Sequence, residues 1–86
     1  MLTLTDEAAD LVRLLVSGDE PSRGLRLGTD DDTHALVMGL SRSSRRDDVE
    51  VARDGVRVWL SPLAATRLAD RTLRAQLIPR PAFFLD

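Results

Sequence analysis

The 86-residue chain contains no cysteine, and it also lacks tyrosine and lysine. Without a thiol it has no disulfide, no thiolate metal site and no cysteine nucleophile. Small secreted domains usually carry disulfides, so the absence of cysteine fits a cytoplasmic protein better than a secreted one. All twelve basic residues are arginine, which we attribute to codon composition and not to function.

The net charge and the short length of the apolar runs exclude further classes of protein. The formal net charge is −2, so no broad positive field favours nucleic acid or anionic lipid. The start of the chain lacks the basic, apolar, small-residue pattern of a secretory signal. No apolar run approaches the length of a membrane span. We therefore expect one small cytoplasmic domain, residues 1–86, that binds neither nucleic acid nor membrane.

The first elements that the sequence indicates are a strand and a helix. Leu2 and Leu4 alternate with a polar residue, as in a short strand. Thr5 is typical of a helix N-cap, and two acidic residues follow it in the first turn, at the positive end of the helix dipole. One apolar stripe then repeats with helical spacing over about three turns: Ala8, Leu11, Val12 and Leu15.

Alternating apolar and polar residues indicate most of the other strands, in the runs 24–28, 49–51, 56–60 and 73–78. The dipeptide Asp54-Gly55 between two of these runs is typical of a two-residue hairpin turn.

Three other segments complete the pattern. Ser61 followed by Pro62 predicts the start of a second short helix. The run 35–40 is apolar without alternation, which predicts a strand buried on both faces. Prolines before the last run, 83–85, place that strand at a sheet edge.

Four segments, in this order and at this spacing, resemble a known family: Met1–Ala9, Gly24–Gly28, Asp54–Leu60 and Leu68–Leu73. They are similar to the A-type iron–sulfur carriers, which form the HesB/IscA-like family. The resemblance implies an α+β fold, a small and mainly β HesB-like domain with mixed or antiparallel sheets. It implies about seven short strands, an N-terminal helix and a second short helix. It also implies an origin in iron–sulfur cluster assembly and a tendency to form homodimers or tetramers.

The family's cluster chemistry does not carry over to this chain. The resembled carriers use one cysteine in a loop after the strand that matches Gly24–Gly28, and two more in a Cys-Gly-Cys near the C-terminus. Here that loop reads Thr29-Asp-Asp-Asp-Thr-His34, and Asp86 stands where we expect the Cys-Gly-Cys tail to begin. Because thiolates hold iron–sulfur clusters, we assign no cofactor ligand, and we expect no cluster bound in the family's manner.

The same loop offers a candidate metal site instead. Carboxylates and imidazole suit divalent ions that include Fe²⁺, so Asp30, Asp32 and His34 are candidate ligands for iron or another metal. Water or a second subunit would complete the shell. Consecutive aspartates repel one another, however, and a lone histidine supplies only one nitrogen ligand. The competing interpretation is a solvated acidic loop.

Two other features are candidate contact sites. Trp59 alternates with Val58 and Leu60, so its indole faces away from them, toward the chain's own helix or toward a partner. Three arginines in the Ser-rich loop 41–48 suit an acidic partner or a phosphate, although two aspartates follow them at once. The competing interpretation for that segment is a solvated connecting loop.

The sequence as a whole predicts a protein that is not an enzyme. It has no nucleophile turn and no phosphate-binding glycine motif. We expect an accessory or interaction protein related to iron–sulfur cluster assembly, whose partner is the assembly machinery or a second copy of the chain. The alternative is a divalent metal-ion binder that uses the loop 29–34.

Overall fold

The computed structural model describes residues 1–19 and 21–86, which form two β-sheets and two helices. In chain order the elements are β1 (Thr3–Leu4), α1 (Asp6–Ser17), β2 (Gly24–Thr29), β3 (Leu36–Ser41), β4 (Val49–Arg53), β5 (Val56–Leu60), α2 (Pro62–Arg67), β6 (Thr72–Gln76) and β7 (Ala82–Leu85). This is the α+β architecture that the family resemblance implied, with seven short strands, an N-terminal helix and a short second helix.

The larger sheet has four strands in the order β3-β2-β5-β4. Its two outer pairs, β2 with β3 and β4 with β5, are antiparallel, whereas the central pair of β2 and β5 is parallel. In that central pair Leu25 lies opposite Val58, and Arg26 lies opposite Trp59. Since side chains alternate across a sheet, the leucine and valine share one face and the arginine and tryptophan share the other.

The smaller sheet has three strands in the order β1-β6-β7. Here β1 runs parallel to β6, with Thr3 opposite Thr72, and β7 runs antiparallel to β6. The predicted edge position of β7 is confirmed, because β6 is its only strand neighbour among the described residues.

Apolar side chains from both sheets and both helices form one core. Helix α1 buries one face and packs mainly on β6 and β2. Full burial of a leucine or valine contributes about 1.5–3 kcal/mol, so these contacts hold the helix on the sheets. The largest fully buried side chains are Leu11, Leu25, Leu60, Leu68, Leu73, Val12 and Val58.

Local signals in the sequence set the ends of the helices and one turn. The Thr5 hydroxyl accepts a hydrogen bond from the backbone N–H of Ala8 at 3.2 Å, and Ser61 caps α2 in the same way. Asp54 and Gly55 have φ angles of 53° and 81°. Positive φ at both central residues is what a two-residue type I′ hairpin turn requires. The predicted caps and the predicted hairpin are confirmed.

The prediction for the apolar run 35–40 is wrong. We expected a strand buried on both faces, but β3 is the outermost strand of its sheet. Val37 and Met38 are 48% and 50% exposed. The physical reason is the strand order. Strand β2 pairs with β5 along one edge and with β3 along the other, so β3 has a single strand neighbour among the described residues.

Neither of the helices in the described part of the chain is long and apolar enough to cross a membrane.

Candidate functional site

The loop between β2 and β3, where the resembled family carries a cysteine, is a tight polar turn. The backbone N–H of Asp30 donates to the carbonyl of Ala35 at 2.8 Å. The Asp30 Oδ1 atom accepts hydrogen bonds from the backbone N–H groups of Asp32 and Thr33, both at 2.9 Å. These bonds from Thr33 and Asp32 hold the pKa of the Asp30 carboxyl below its ordinary value.

His34 ends this turn and joins it to the rest of the fold. Its φ angle is 60°, in the left-handed region that non-glycine residues rarely adopt. Its backbone N–H donates to the Asp30 carbonyl at 2.9 Å, and its own carbonyl accepts a hydrogen bond from the Arg67 guanidinium of α2. The loop is therefore attached both to the hairpin and to the second helix.

The structure does not bring the predicted metal ligands into one group. Asp30, Asp32 and His34 are all exposed, and one carboxylate oxygen of Asp30 already accepts two backbone hydrogen bonds. Across residues 1–19 and 21–86, no three His, Asp or Glu side chains lie close enough to hold a metal ion. Metal binding by this loop stays a prediction.

Trp59 is covered by its own chain. Its side chain is only 3% exposed, and its Nε1 donates to the Glu50 carboxylate of the neighbouring strand at 2.9 Å. A Cβ atom at Gly24 would stand 2.9 Å from the Trp59 ring and 2.7 Å from the Arg57 carbonyl. The ring therefore lies against the glycine on β2. A subunit contact through Trp59 stays a prediction, and in this arrangement the indole offers little surface for it.

Beside Trp59, on the same face of the sheet, Arg26 and Asp48 form a buried ion pair. The Arg26 Nε and Nη2 atoms donate to the two Asp48 carboxylate oxygens at 3.1 and 2.9 Å. The side chains are 16% and 1% exposed. Burial alone would raise the pKa of Asp48, but the hydrogen bonds from Arg26 and from the Arg45 backbone N–H outweigh it and lower the pKa.

This pair attaches the loop 41–48, which carries three arginines, to β2, and it was not predicted. In the sequence, Asp48 stands out only as a charge that offsets the neighbouring arginines. One signal was available: Arg26 stands in a buried strand, two residues from a glycine on either side. A Cβ at Gly28 would lie 2.8 Å from the Arg26 Nη1, so that glycine leaves room for the long side chain.

Two depressions flank β3. One, of about 260 Å³, lies on the Arg26 side of the sheet and is lined by Arg45 and by β3 itself. The other, of about 190 Å³, is an apolar groove between β3 and β7. Leu36, Val37 and Met38 line one wall of this groove. The other lining residues are Leu27, Leu73, Phe83, Phe84 and Leu85.

No family model and no curated protein sequence matches the chain. Solved structures do match it. Escherichia coli SufA, involved in the biosynthesis of iron–sulfur clusters, is 26% identical, with a TM-score of 0.79 over 99% of this chain and 83% of the SufA chain. IscA with a [2Fe–2S] cluster is 19% identical, with a TM-score of 0.75 over 100% of this chain and 84% of the IscA chain.

A protein from Aquifex aeolicus, whose structure was solved by NMR in solution, is 15% identical. Its TM-score is 0.71, over 99% of this chain and 89% of the Aquifex chain. The chain therefore has a HesB/IscA-like fold, as its sequence motifs predicted, and its sequence contains no cysteine, the residue whose thiolate typically binds iron–sulfur clusters.

Proposed function

We propose that this protein is a cysteine-less accessory protein of iron–sulfur cluster assembly, which acts in the cytoplasm by protein contact and catalyses no reaction. One observation carries the proposal. The chain matches SufA over almost its whole length, yet the 86 residues contain no thiol. We infer that the scaffold is retained while its role as a thiolate-ligated carrier is not.

The residues of the loop 29–34 support the inference that the fold is retained without a bound cluster. A [2Fe–2S] or [4Fe–4S] cluster typically takes four thiolates, or two where imidazoles replace the others on one iron. Two copies of this chain would supply no thiolate and only two imidazoles, one from each His34. In addition, one Asp30 oxygen accepts hydrogen bonds within the turn.

The surface around β3 supports action by contact. Val37, Met38 and Phe84 are 48%, 50% and 43% exposed, and all three line the apolar groove between β3 and β7. Exposed apolar side chains that gather in one place on a small protein are typical of interaction sites.

Anaerobic reconstitution tests whether the protein holds a cluster. Purified protein is incubated with Fe²⁺ and sulfide and then passed through a gel-filtration column, with IscA treated in parallel as a positive control. We expect IscA to leave the column brown and this protein to leave it colourless. Stoichiometric sulfide retained with the protein would overturn the proposal.

A binding measurement tests the accessory role itself. A SufA-like carrier from the same organism is titrated with the protein by calorimetry, and transfer of its cluster to an apo-ferredoxin is timed with and without the protein. We expect a complex and an altered transfer rate. If there is no complex and transfer is unchanged, the proposed role in assembly is wrong.

A further inference from the structure

Strand β3 is the least protected sheet edge in the described part of the chain. Its six residues, Leu36–Ser41, include no charge and no proline. Native edge strands normally carry such residues, or are very short, to prevent pairing with other chains. The other edges follow that rule: β4 carries Glu50 and Arg53, β7 follows Pro81, and β1 has only two residues.

The unpaired hydrogen-bonding groups of this edge can be identified from the register. Asp30 donates to Ala35 at the hairpin end, and the pairing continues without interruption to Ser41. Because hydrogen-bonded pairs alternate along an antiparallel ladder, Val37, Gly39 and Ser41 direct their backbone groups toward β2. The backbone groups of Leu36, Met38 and Leu40 therefore point away from the sheet.

The two ends of β3 carry opposite charge. Asp30, Asp31 and Asp32 lie in the loop before the strand, and all three are exposed. Arg42, Arg45 and Arg46 lie in the loop after it and are exposed as well. Within residues 1–19 and 21–86 none of these three arginines forms an ion pair. An edge that is acidic at one end and basic at the other is complementary to itself when two copies run antiparallel.

We propose that β3 pairs with β3 of a second copy of this chain about a two-fold axis at Met38, which joins the two four-stranded sheets into one. In this register Leu36 lies opposite the partner's Leu40, and their outward backbone groups can form the new ladder. The acidic turn 30–34 of each protomer then lies at the same end of the shared ladder as the partner's loop 42–46, so that Asp31 and the partner's Arg45 belong to oppositely charged segments that face each other.

This arrangement also covers the exposed apolar residues of the strand. On one face of the joined sheet Met38 meets the partner's Met38 at the axis, and on the opposite face Val37 of each protomer lies across from the partner's Gly39. The proposal concerns self-association alone and does not depend on a role in iron–sulfur assembly, so either can fail without the other.

Charge-reversed variants test the register by sedimentation. Asp31→Arg places two arginines in each contact of the dimer, and Arg45→Glu places two acidic residues there. We expect the wild type to sediment at twice the protomer mass and each variant alone to sediment as a folded monomer. An equimolar mixture of the two variants restores opposite charges at both contacts, and we expect it to dimerise. Arg80→Asp, a reversal at an exposed arginine in another part of the molecule, should leave the dimer unchanged.

A second pair of variants tests the position of the two-fold axis and leaves the charged loops unchanged. Met38→Arg brings two like charges together across the axis and should give monomers, whereas Leu14→Arg, at a residue 57% exposed on α1, should remain dimeric. A monomeric wild type would overturn the proposal. So would a dimer that survives Met38→Arg, or a mixture of folded Asp31→Arg and Arg45→Glu monomers that does not associate.

Discussion

Replacement of Trp59 by alanine should destabilise the fold itself, because the indole is covered within one protomer. Removal of a buried tryptophan costs about 3–5 kcal/mol. At about 0.05–0.15 kcal/mol per residue, a domain of this size has a free energy of unfolding of only about 4–13 kcal/mol. The substitution therefore removes a large part of the total, and we expect the melting temperature to fall by more than about 12 °C.

Trp59→Phe separates the contribution of the ring from that of the hydrogen bond. This variant keeps an aromatic ring against Gly24 but loses the donor to Glu50. A hydrogen bond to a charged group contributes about 1.5–3 kcal/mol, and the value here should lie near the lower limit, because Glu50 is exposed and water can replace the donor. We expect a loss of about 1–2 kcal/mol, well below that of the alanine variant.

Urea unfolding followed by far-ultraviolet circular dichroism measures both variants, since fluorescence is lost with the tryptophan. Sedimentation under native conditions gives the second result, and the mass of Trp59→Phe should equal that of the wild type. The reasoning is refuted if Trp59→Ala unfolds within about 1 kcal/mol of the wild type, or if Trp59→Phe is stable but changes its oligomeric state.

Two further predictions concern the charged loops. Asp48→Asn should lower the free energy of unfolding by about 2–3 kcal/mol near neutral pH, because it breaks a buried ion pair. The pKa of Asp48 is lowered from 3.8 in the fold, so the stabilisation is present above that value and is lost as the pH falls through the folded pKa. Acid titrations of stability should show a larger loss for the wild type than for Asp48→Asn, which keeps only the losses from other carboxylates such as Asp30. For the loop 29–34, the metal hypothesis predicts anaerobic Fe²⁺ uptake by the wild type and a smaller uptake by His34→Ala. Equal and negligible uptake by both would eliminate a metal site at Asp30, Asp32 and His34.

The parts of the fold that could be predicted are those that depend on neighbours in sequence. Thr5 and Ser61 cap helices through bonds to residues three positions away, and Asp54-Gly55 forms a turn whose backbone angles few other residues adopt. Alternation located most of the strands. Each of these signals acts within a few residues, so it can be read from one segment at a time.

The parts that could not be predicted depend on pairing between distant segments. The parallel register of β2 and β5 places Trp59 beside Arg26 and exposes β3. Nothing in the apolar run 35–40 indicates that its sheet ends there. Asp48 likewise forms its ion pair with a residue 22 positions earlier. The covered indole follows from this register, and the ion pair joins β2 to the loop before β4, so both depend on contacts between segments that are distant in sequence.

The parallel pairing of β1 with β6 has a consequence for synthesis in the cell. Strand β1 comes first among the described strands, yet its partner lies at residues 72 and 73, and the central strand β2 finds its parallel neighbour only at residues 58–60. A 12-residue helix and a two-stranded hairpin are only marginally stable alone, so α1 and the β2–β3 hairpin depend on the later segments, and neither sheet can close until those segments have left the ribosome. Until then the apolar face of α1 stays uncovered, so a chaperone that shields short apolar segments would have its greatest effect on this protein during translation.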